Sequence, residues 1–346
     1  MCYMFGVCLI FLYFCAVFME KGKKILRFLK DWTLPVAIAT GTVGYLTFSR
    51  VPALDVAGTA LAPVFDTLFP VSVFLTLLVT FCKVDFRQLL PHRWHVGVLA
   101  AQLLLVAATV GLVFAARGSA EQKLLWEAVL TCIIGPSASA APVVVGKLGG
   151  NINTMTTFTL ISSVVSALLI PAVFPVLEPA AADAAGGGPV AFWAAFLTIL
   201  QRVSAVVLLP LVLGWLVQHG AKRLCRWVTS KRDLGFYCWC VSLSITAGIT
   251  VKNIVNSQAP AGLLLLIAAA TLLLSVVQLV AGRAVGRWLG DEVNGGQALF
   301  QKNTALSIWV AYMYLAPVAS IGAGCYVLWQ NLINSVELWL YSKKKI

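Results

Sequence analysis

Continuous apolar runs, separated by short charged or Pro/Gly-rich breaks, fill almost the whole chain, and this pattern restricts it to one kind of environment. Ten runs can be marked out, at approximately 34–49, 60–82, 95–116, 124–147, 153–177, 196–218, 234–251, 261–289, 295–316 and 318–337. Each approaches the roughly 20 residues that an α-helix needs to cross the apolar core of a bilayer. With 60% of the 346 residues hydrophobic, 11% charged and a mean hydropathy of +0.91, little is left from which to build a soluble domain. The runs are continuous rather than alternating, which argues against a lipid-facing barrel. The expected fold class is therefore all-α integral membrane, with ten transmembrane helices. A soluble globular enzyme is excluded, and no phosphate loop, zinc motif or Ser-His-Asp set points to an ATP-driven pump or a catalytic site. The nine cysteines form no CxxC pair and read as small reduced hydrophobes, while His92, His95 and His219 lack second ligands at metal spacing. No cofactor is expected.

The net charge of +12 is explained by topology. Lys and Arg are retained on the cytoplasmic loops of bilayer proteins. If the segment before the first span is inside, 19 of the 25 basic residues fall on the inner side and five on the outer, the latter being Arg50, Arg117, Lys123, Arg202 and Lys252. This split places both termini in the cytoplasm, in a plasma (inner) membrane, and makes the lipid bilayer rather than nucleic acid the partner of the charge. Only Lys302, inside the ninth span, is left over. The first apolar run, Met1 to Met19, precedes its basic stretch KGKKILRFLKD, the reverse of the order in a signal peptide. Met19 opens the usual layout of a basic leader before a first span, so residues 1–18 read as a non-native extension or an extra apolar segment, and residues 19–346 as one domain. Trp94, Trp126, Trp215, Trp227, Trp329 and Trp339 fall at span ends and read as interface anchors.

Ten spans divide into two fives, and an odd number per half inserts the halves in opposite orientations, which is the arithmetic of an inverted-repeat transporter. The first repeat covers about 24–178 and the second about 190–340, joined by a flexible loop at Gly186–Gly188. The fourth span of each half is the interrupted one. In LLWEAVLTCIIGPSASAAPVVVGKL, Gly135 and Pro136 lie about 12 residues in, or roughly 18 Å deep. Pro136 and Pro142 make a continuous helix untenable there, and Ser137 and Ser139 are suited to capping a restarted one. In GGQALFQKNTALSIWVAYMYLAP, the residues Gln301, Lys302, Asn303 and Thr304 reach a similar depth. A lysine near the bilayer centre costs at least about 2.5 kcal/mol, so Lys302 is expected to face a water-filled or protein-lined cavity. Two restarted helices would add their N-terminal N–H groups to that ammonium. None of the 13 carboxylates falls at either break, so the expected substrate is a small organic anion and not a cation. The plainer alternative is a proline kink with Lys302 bonded to the carbonyls of a broken helix.

At these residues the chain resembles the bile acid:sodium symporter family. The resemblance runs from about Lys24 to Lys345 and is most specific in GPSASAAPVVVGKLGGN, LISSVVSALLIPAVFPVL, LLPLVLGW, QKNTALSIW and YVLWQNLINS. It implies a panel domain from spans one, two, six and seven and a core domain from the other six, with substrate bound between them, where spans four and nine cross. It also implies sodium ligands at Gln102, Thr159, and Gln301 or Asn303. The match departs where sodium-dependent members carry a Ser-Asn pair, here near Ala141 and Pro142, at a second hydroxyl position, here Met155, and at a carboxylate, here near Ala298. A hard cation needs several oxygens and usually a negative charge. The expectation is thus a secondary transporter in which the Lys302 ammonium takes the volume and charge of a sodium ion, making transport sodium-independent or proton-linked. The competing readings are a sodium-coupled bile-acid or organic-anion symporter, an arsenite-type efflux carrier, and a non-transporting membrane receptor.

Overall fold

A computed structural model describes residues 33–84, 89–177, 188–231 and 234–343. The apolar extension at 1–18, the basic leader, Arg87, the linker residues Gly186 and Gly187, Arg232, Lys344 and Lys345 lie outside the described residues. Among those described, backbone pairing is helical apart from one isolated bridge. The chain forms α1 (Thr33–Arg50), α2 (Asp55–Cys82), α3 (Arg93–Ala115), α4 (Ala120–Ile134), α5 (Ala141–Lys147), α6 (Ile152–Leu177) and α7 (Gly188–Gly220). These are followed by α8 (Lys222–Ser230), α9 (Leu234–Val255), α10 (Ala261–Leu289), α11 (Glu292–Phe300), α12 (Thr304–Tyr314) and α13 (Ser320–Lys343).

Each of the ten runs marked out between residues 34 and 337 lies on helix, and the two with internal polar breaks are the two that divide, into α4–α5 and α11–α12. Among the described residues, four segments are long and apolar enough to cross a membrane: Arg93–Gly118, Ile152–Leu177, Phe192–Gly220 and Ala261–Leu289. Shorter apolar helical stretches cover Thr67–Cys82 and Cys240–Val255. Two details differ from the expectation. The sixth run is helical from Gly188, so the glycine expected in a linker opens α7. Helix α8 is an additional short element with a basic face, which an apolar-run search does not detect.

The helices pack as neighbours in two sets. α1, α2, α7 and α9 form one, while α3, α4, α10, α11, α12 and α13 form a second set with α5 and α6; α7 against α6, α12 against α2, and α9 against both α12 and α13 link the two. Within the second set α10 and α11 form an antiparallel pair whose backbones nearly touch. Gly290, with φ 98°, turns the chain between them. A Cβ at Gly295 would fall on the Gly282 carbonyl and the Gly286 backbone, so only glycine permits this approach. Helices α10, α11 and α13 are tied together by Glu337, which accepts from Arg283 and from the Gln297 amide, both at 2.5 Å.

Trp94 corrects the interface-anchor reading. It is buried, stacked on Phe158 at 5.4 Å and in edge contact with His95 at 4.2 Å, whereas Trp215, Trp227 and Trp339 are exposed. Trp329 donates its indole N–H to the Ala268 carbonyl at 3.0 Å.

Candidate functional site

The two helix breaks cross and bind each other through their backbones. Ser137 and Lys302 form an isolated antiparallel bridge. Ala138 N–H donates to the Gln301 carbonyl and Asn303 N–H to the Pro136 carbonyl, each at 2.9 Å. Pro136 has no N–H to offer a helix but keeps a carbonyl, so a proline suits this position. Pro142 falls in the first turn of α5, where the missing N–H costs nothing.

A helix that stops inside a membrane leaves carbonyls without partners, and water cannot satisfy them there. Buried side chains from neighbouring helices take that role. The Gln102 amide on α3 donates to the Ile133 carbonyl at 3.0 Å and the Gly135 carbonyl at 3.1 Å. Gln278 on α10 donates to the Cys132 carbonyl at 3.3 Å and to the Tyr326 hydroxyl at 3.1 Å, and Tyr326 on α13 donates to the Phe300 carbonyl at 2.7 Å. The bridge residues are held in the same manner: Ser137 N–H donates to Ser162 Oγ at 3.1 Å and Lys302 N–H to Gln330 Oε1 at 2.8 Å.

In front of this crossing lies a cavity of about 700 Å³, within the range of small-molecule sites. Ser139, Thr159, Gln301, Lys302, Asn303 and Thr304 line it. Lys302 is only 1% exposed, and its Nζ has no hydrogen-bond partner among the described residues. Lys83 and Lys147 also reach the lining, which contains no Asp or Glu among the described residues. The opposite wall carries Thr76 and Ser242, from α2 and α9.

Ser137 and Gln102, the remaining sequence candidates, stand behind the lining. The Ser137 side chain is buried with its Oγ unpartnered among the described residues, and Gln102 braces the end of α4. The expectation that Ser137 or Ser139 caps the restarted helix is corrected. The N-cap of α5 is Ala140, with no side-chain hydrogen bond. Its first amides are already occupied, Ala141 N–H by the Ala138 carbonyl and those of Val143 and Val144 by the Ala140 carbonyl. At α12, Asn303 Oδ1 accepts from Leu306 N–H at 3.2 Å. The positive group offered to the cavity is therefore the Lys302 ammonium more than a pair of open helix ends.

Of the residues the resemblance assigns to sodium, Thr159, Gln301 and Asn303 line the cavity and Gln102 lies outside the lining. Thr159 spends its proton on the Met155 carbonyl at 3.0 Å. Met155 and Ala298, at the positions where hydroxyl and carboxylate are missing, are fully buried in one apolar cluster with Trp94 and Phe158. The sequence reading missed Gln330, Asn331 and Asn334 on α13, which all reach the cavity. Their i, i+1, i+4 spacing in an otherwise apolar helix was the available signal.

The sequence model of the SBF-like CPA transporter family matches residues 83–333, well over half of the chain and inclusive of both breaks. No curated protein matches the chain.

Proposed function

The chain belongs to the SBF-like CPA transporter family, which makes it an integral membrane transporter and not an enzyme, and we propose that it is a secondary active transporter of a small organic anion. In this reading the protein spans the membrane ten times as two inverted five-helix repeats, with α1, α2, α7 and α9 as the panel and the rest of the spanning helices as the core. Substrate binds at the crossing of the broken helices and is passed across by movement of core against panel. Lys302 serves as a built-in cation, so that transport is sodium-independent or proton-linked.

The observation that carries this reading is the Lys302 ammonium itself, buried, without a hydrogen-bond partner among the described residues, and lining a cavity with no carboxylate among them. Holding a bare ammonium at this depth costs at least about 2.5 kcal/mol, which an anionic ligand would recover. The matched pairs Ser162–Ser137 and Gln330–Lys302 support the inverted repeat, because each brace comes from the helix that follows its break. Alternating access is supported by the cavity lining and by a contact outside it. Lys83, just after α2, and Lys147, at the end of α5, both assigned to the inner side, reach the lining. Outside the lining, Lys252 on α9 meets the Tyr312 hydroxyl of α12 at 3.5 Å, a contact between panel and core that must part for the two to move.

One observation favours sodium coupling. Gln102 Oε1, Ser137 Oγ and Ser307 Oγ are buried oxygens without hydrogen-bond partners among the described residues. Counterflow of organic anions in liposomes, run in sodium and then in potassium, separates the two. Rates independent of sodium, abolished by Lys302→Met in a protein that remains folded, are the expected result. A sharp fall on replacing sodium by potassium, or full activity in Lys302→Met, overturns the proposal.

A further inference from the structure

Helix α8 has a composition unlike any other element of the fold. Its sequence KRLCRWVTS, followed by Lys231, has four basic residues and no acidic one. At about 100° per residue the basic side chains Lys222, Arg223 and Arg226 share one face, and Leu224, Cys225, Trp227 and Val228 the other. The apolar face is only partly used by the protein. Val228 is buried against Val79 and Cys82 of α2, while Leu224 and Trp227 are 48% and 54% exposed. Lys222, Arg223, Arg226 and Lys231 are exposed as well. The helix follows directly on α7, whose own Val212, Trp215 and Leu216 are exposed in the manner of lipid-facing residues.

We propose that α8 lies flat in the membrane interface and binds anionic phospholipid. Leu224 and Trp227 insert among the upper acyl chains, and the basic face meets the headgroups. Apolar side chains alone would accept any lipid. Four cations with no acid among residues 222–231 select for negative headgroups, the charge pattern expected of an amphipathic helix on an anionic leaflet.

The site is joined to the cavity. Val228 packs on Val79, and the Lys231 carbonyl accepts from Lys83 Nζ at 3.0 Å. Val79 and Lys83 both line the cavity. Lipid held on α8 therefore fixes the end of α2 that forms part of the cavity wall, which gives the bilayer's composition a route to the site. This inference does not depend on the identity of the substrate.

The full-length protein in nanodiscs tests it, with quenching of Trp227 fluorescence by brominated phosphatidylglycerol or brominated phosphatidylcholine as the probe. The Trp227 signal is the difference between wild type and Trp227→Phe. The expected result is stronger quenching by the anionic lipid at equal mole fraction, declining as salt is added. One basic residue near an anionic surface is worth about fivefold in affinity, so R223Q/R226Q lowers the preference by roughly 25-fold, and R223K/R226K retains it. Equal quenching by both lipids, a preference insensitive to salt, or an unchanged preference in R223Q/R226Q overturns the proposal. Since the wild-type comparison needs no charge variant, a misfolded R223Q/R226Q protein leaves the test standing.

Discussion

Gln102 separates two accounts of the break after α4. As a brace, its –NH₂ group has two protons and serves both the Ile133 and Gly135 carbonyls, which its Oε1, an acceptor, could not face. Gln102→Leu strips both bonds. A buried carbonyl left bare costs about 1–3 kcal/mol. Interhelical hydrogen bonds measured within bilayers average about 0.6 kcal/mol and reach about 1.7, so the two together are worth about 1–3 kcal/mol. Gln102→Glu removes the donors and supplies only acceptors, which face the same carbonyls and repel them if ionised. The brace account therefore expects at least the same loss from Glu as from Leu. A sodium ligand behaves in the opposite way, because the extra negative oxygen would hold the ion more tightly. The assay is unfolding of purified protein by increasing SDS in mixed micelles, followed by tryptophan fluorescence, with sodium or potassium as the salt. Gln102→Leu unfolding with the wild-type protein, or Gln102→Glu gaining stability in sodium alone, would refute the brace.

Three further outcomes follow from the packing. Tyr326→Phe, which leaves the Phe300 carbonyl without its 2.7 Å donor, lowers the unfolding free energy read from the same SDS titration by about 1 kcal/mol, and its effect is not additive with Gln278→Leu because the two share one network. Gly295→Ala forces α10 and α11 apart and costs about 1–3 kcal/mol; a variant of wild-type stability would show that the helices do not approach as described. Asp291, between those helices, accepts from Asn294 N–H, and burial holds its carboxyl above the usual carboxylate range. For a raised acid the stabilisation is complete below the unfolded pKa and is lost as pH rises through the folded one, so Asp291→Asn, which keeps a capping oxygen, holds or raises the midpoint at neutral pH and flattens its slope through the acid range. A clear drop at neutral pH would show instead that the charge is needed.

The sequence was most informative where one residue type has a single physical consequence. Pro136 cannot donate within a helix and Lys302 cannot sit in lipid, and those constraints located both breaks. Helix ends were equally readable wherever an apolar run simply stopped, as at Leu289. What could not be read was which distant side chain answers each orphaned group. Gln278 lies 146 residues from Cys132, and Tyr326 lies 26 from Phe300, separations that carry no periodic signal. Gln102 was singled out only through the family resemblance, as an ion ligand, and nothing in its spacing showed that its amide nitrogen also braces two carbonyls of the break. Glu337, at the edge of the tenth run, carries no sequence signal that it joins Arg283 and Gln297 across three helices. Trp94 misled because an aromatic at a span end can turn inward as readily as outward, and position along the chain does not distinguish the two.

The bridge between the breaks bears on why a lysine is tolerated at its centre. Ser137 and Lys302 occupy paired positions, each fixed by its own backbone N–H on a neighbouring acceptor, Ser162 Oγ in one case and Gln330 Oε1 in the other. The flanking carbonyls of Pro136 and Gln301 are satisfied by the backbone of the opposite break. All of these bonds are made by main-chain atoms of residue 302 or its neighbours, so a methionine at that position could make every one of them. The Nζ contributes none, since it has no hydrogen-bond partner among the described residues. A lysine present only to tie up the carbonyls of a broken helix would have its ammonium against those carbonyls, yet the ones at Cys132, Ile133, Gly135 and Phe300 are taken by Gln102, Gln278 and Tyr326. The backbone at 302 thus belongs to the scaffold and leaves Nζ to the cavity it lines, so under the proposed function Lys302→Met is expected to fold and fail to transport.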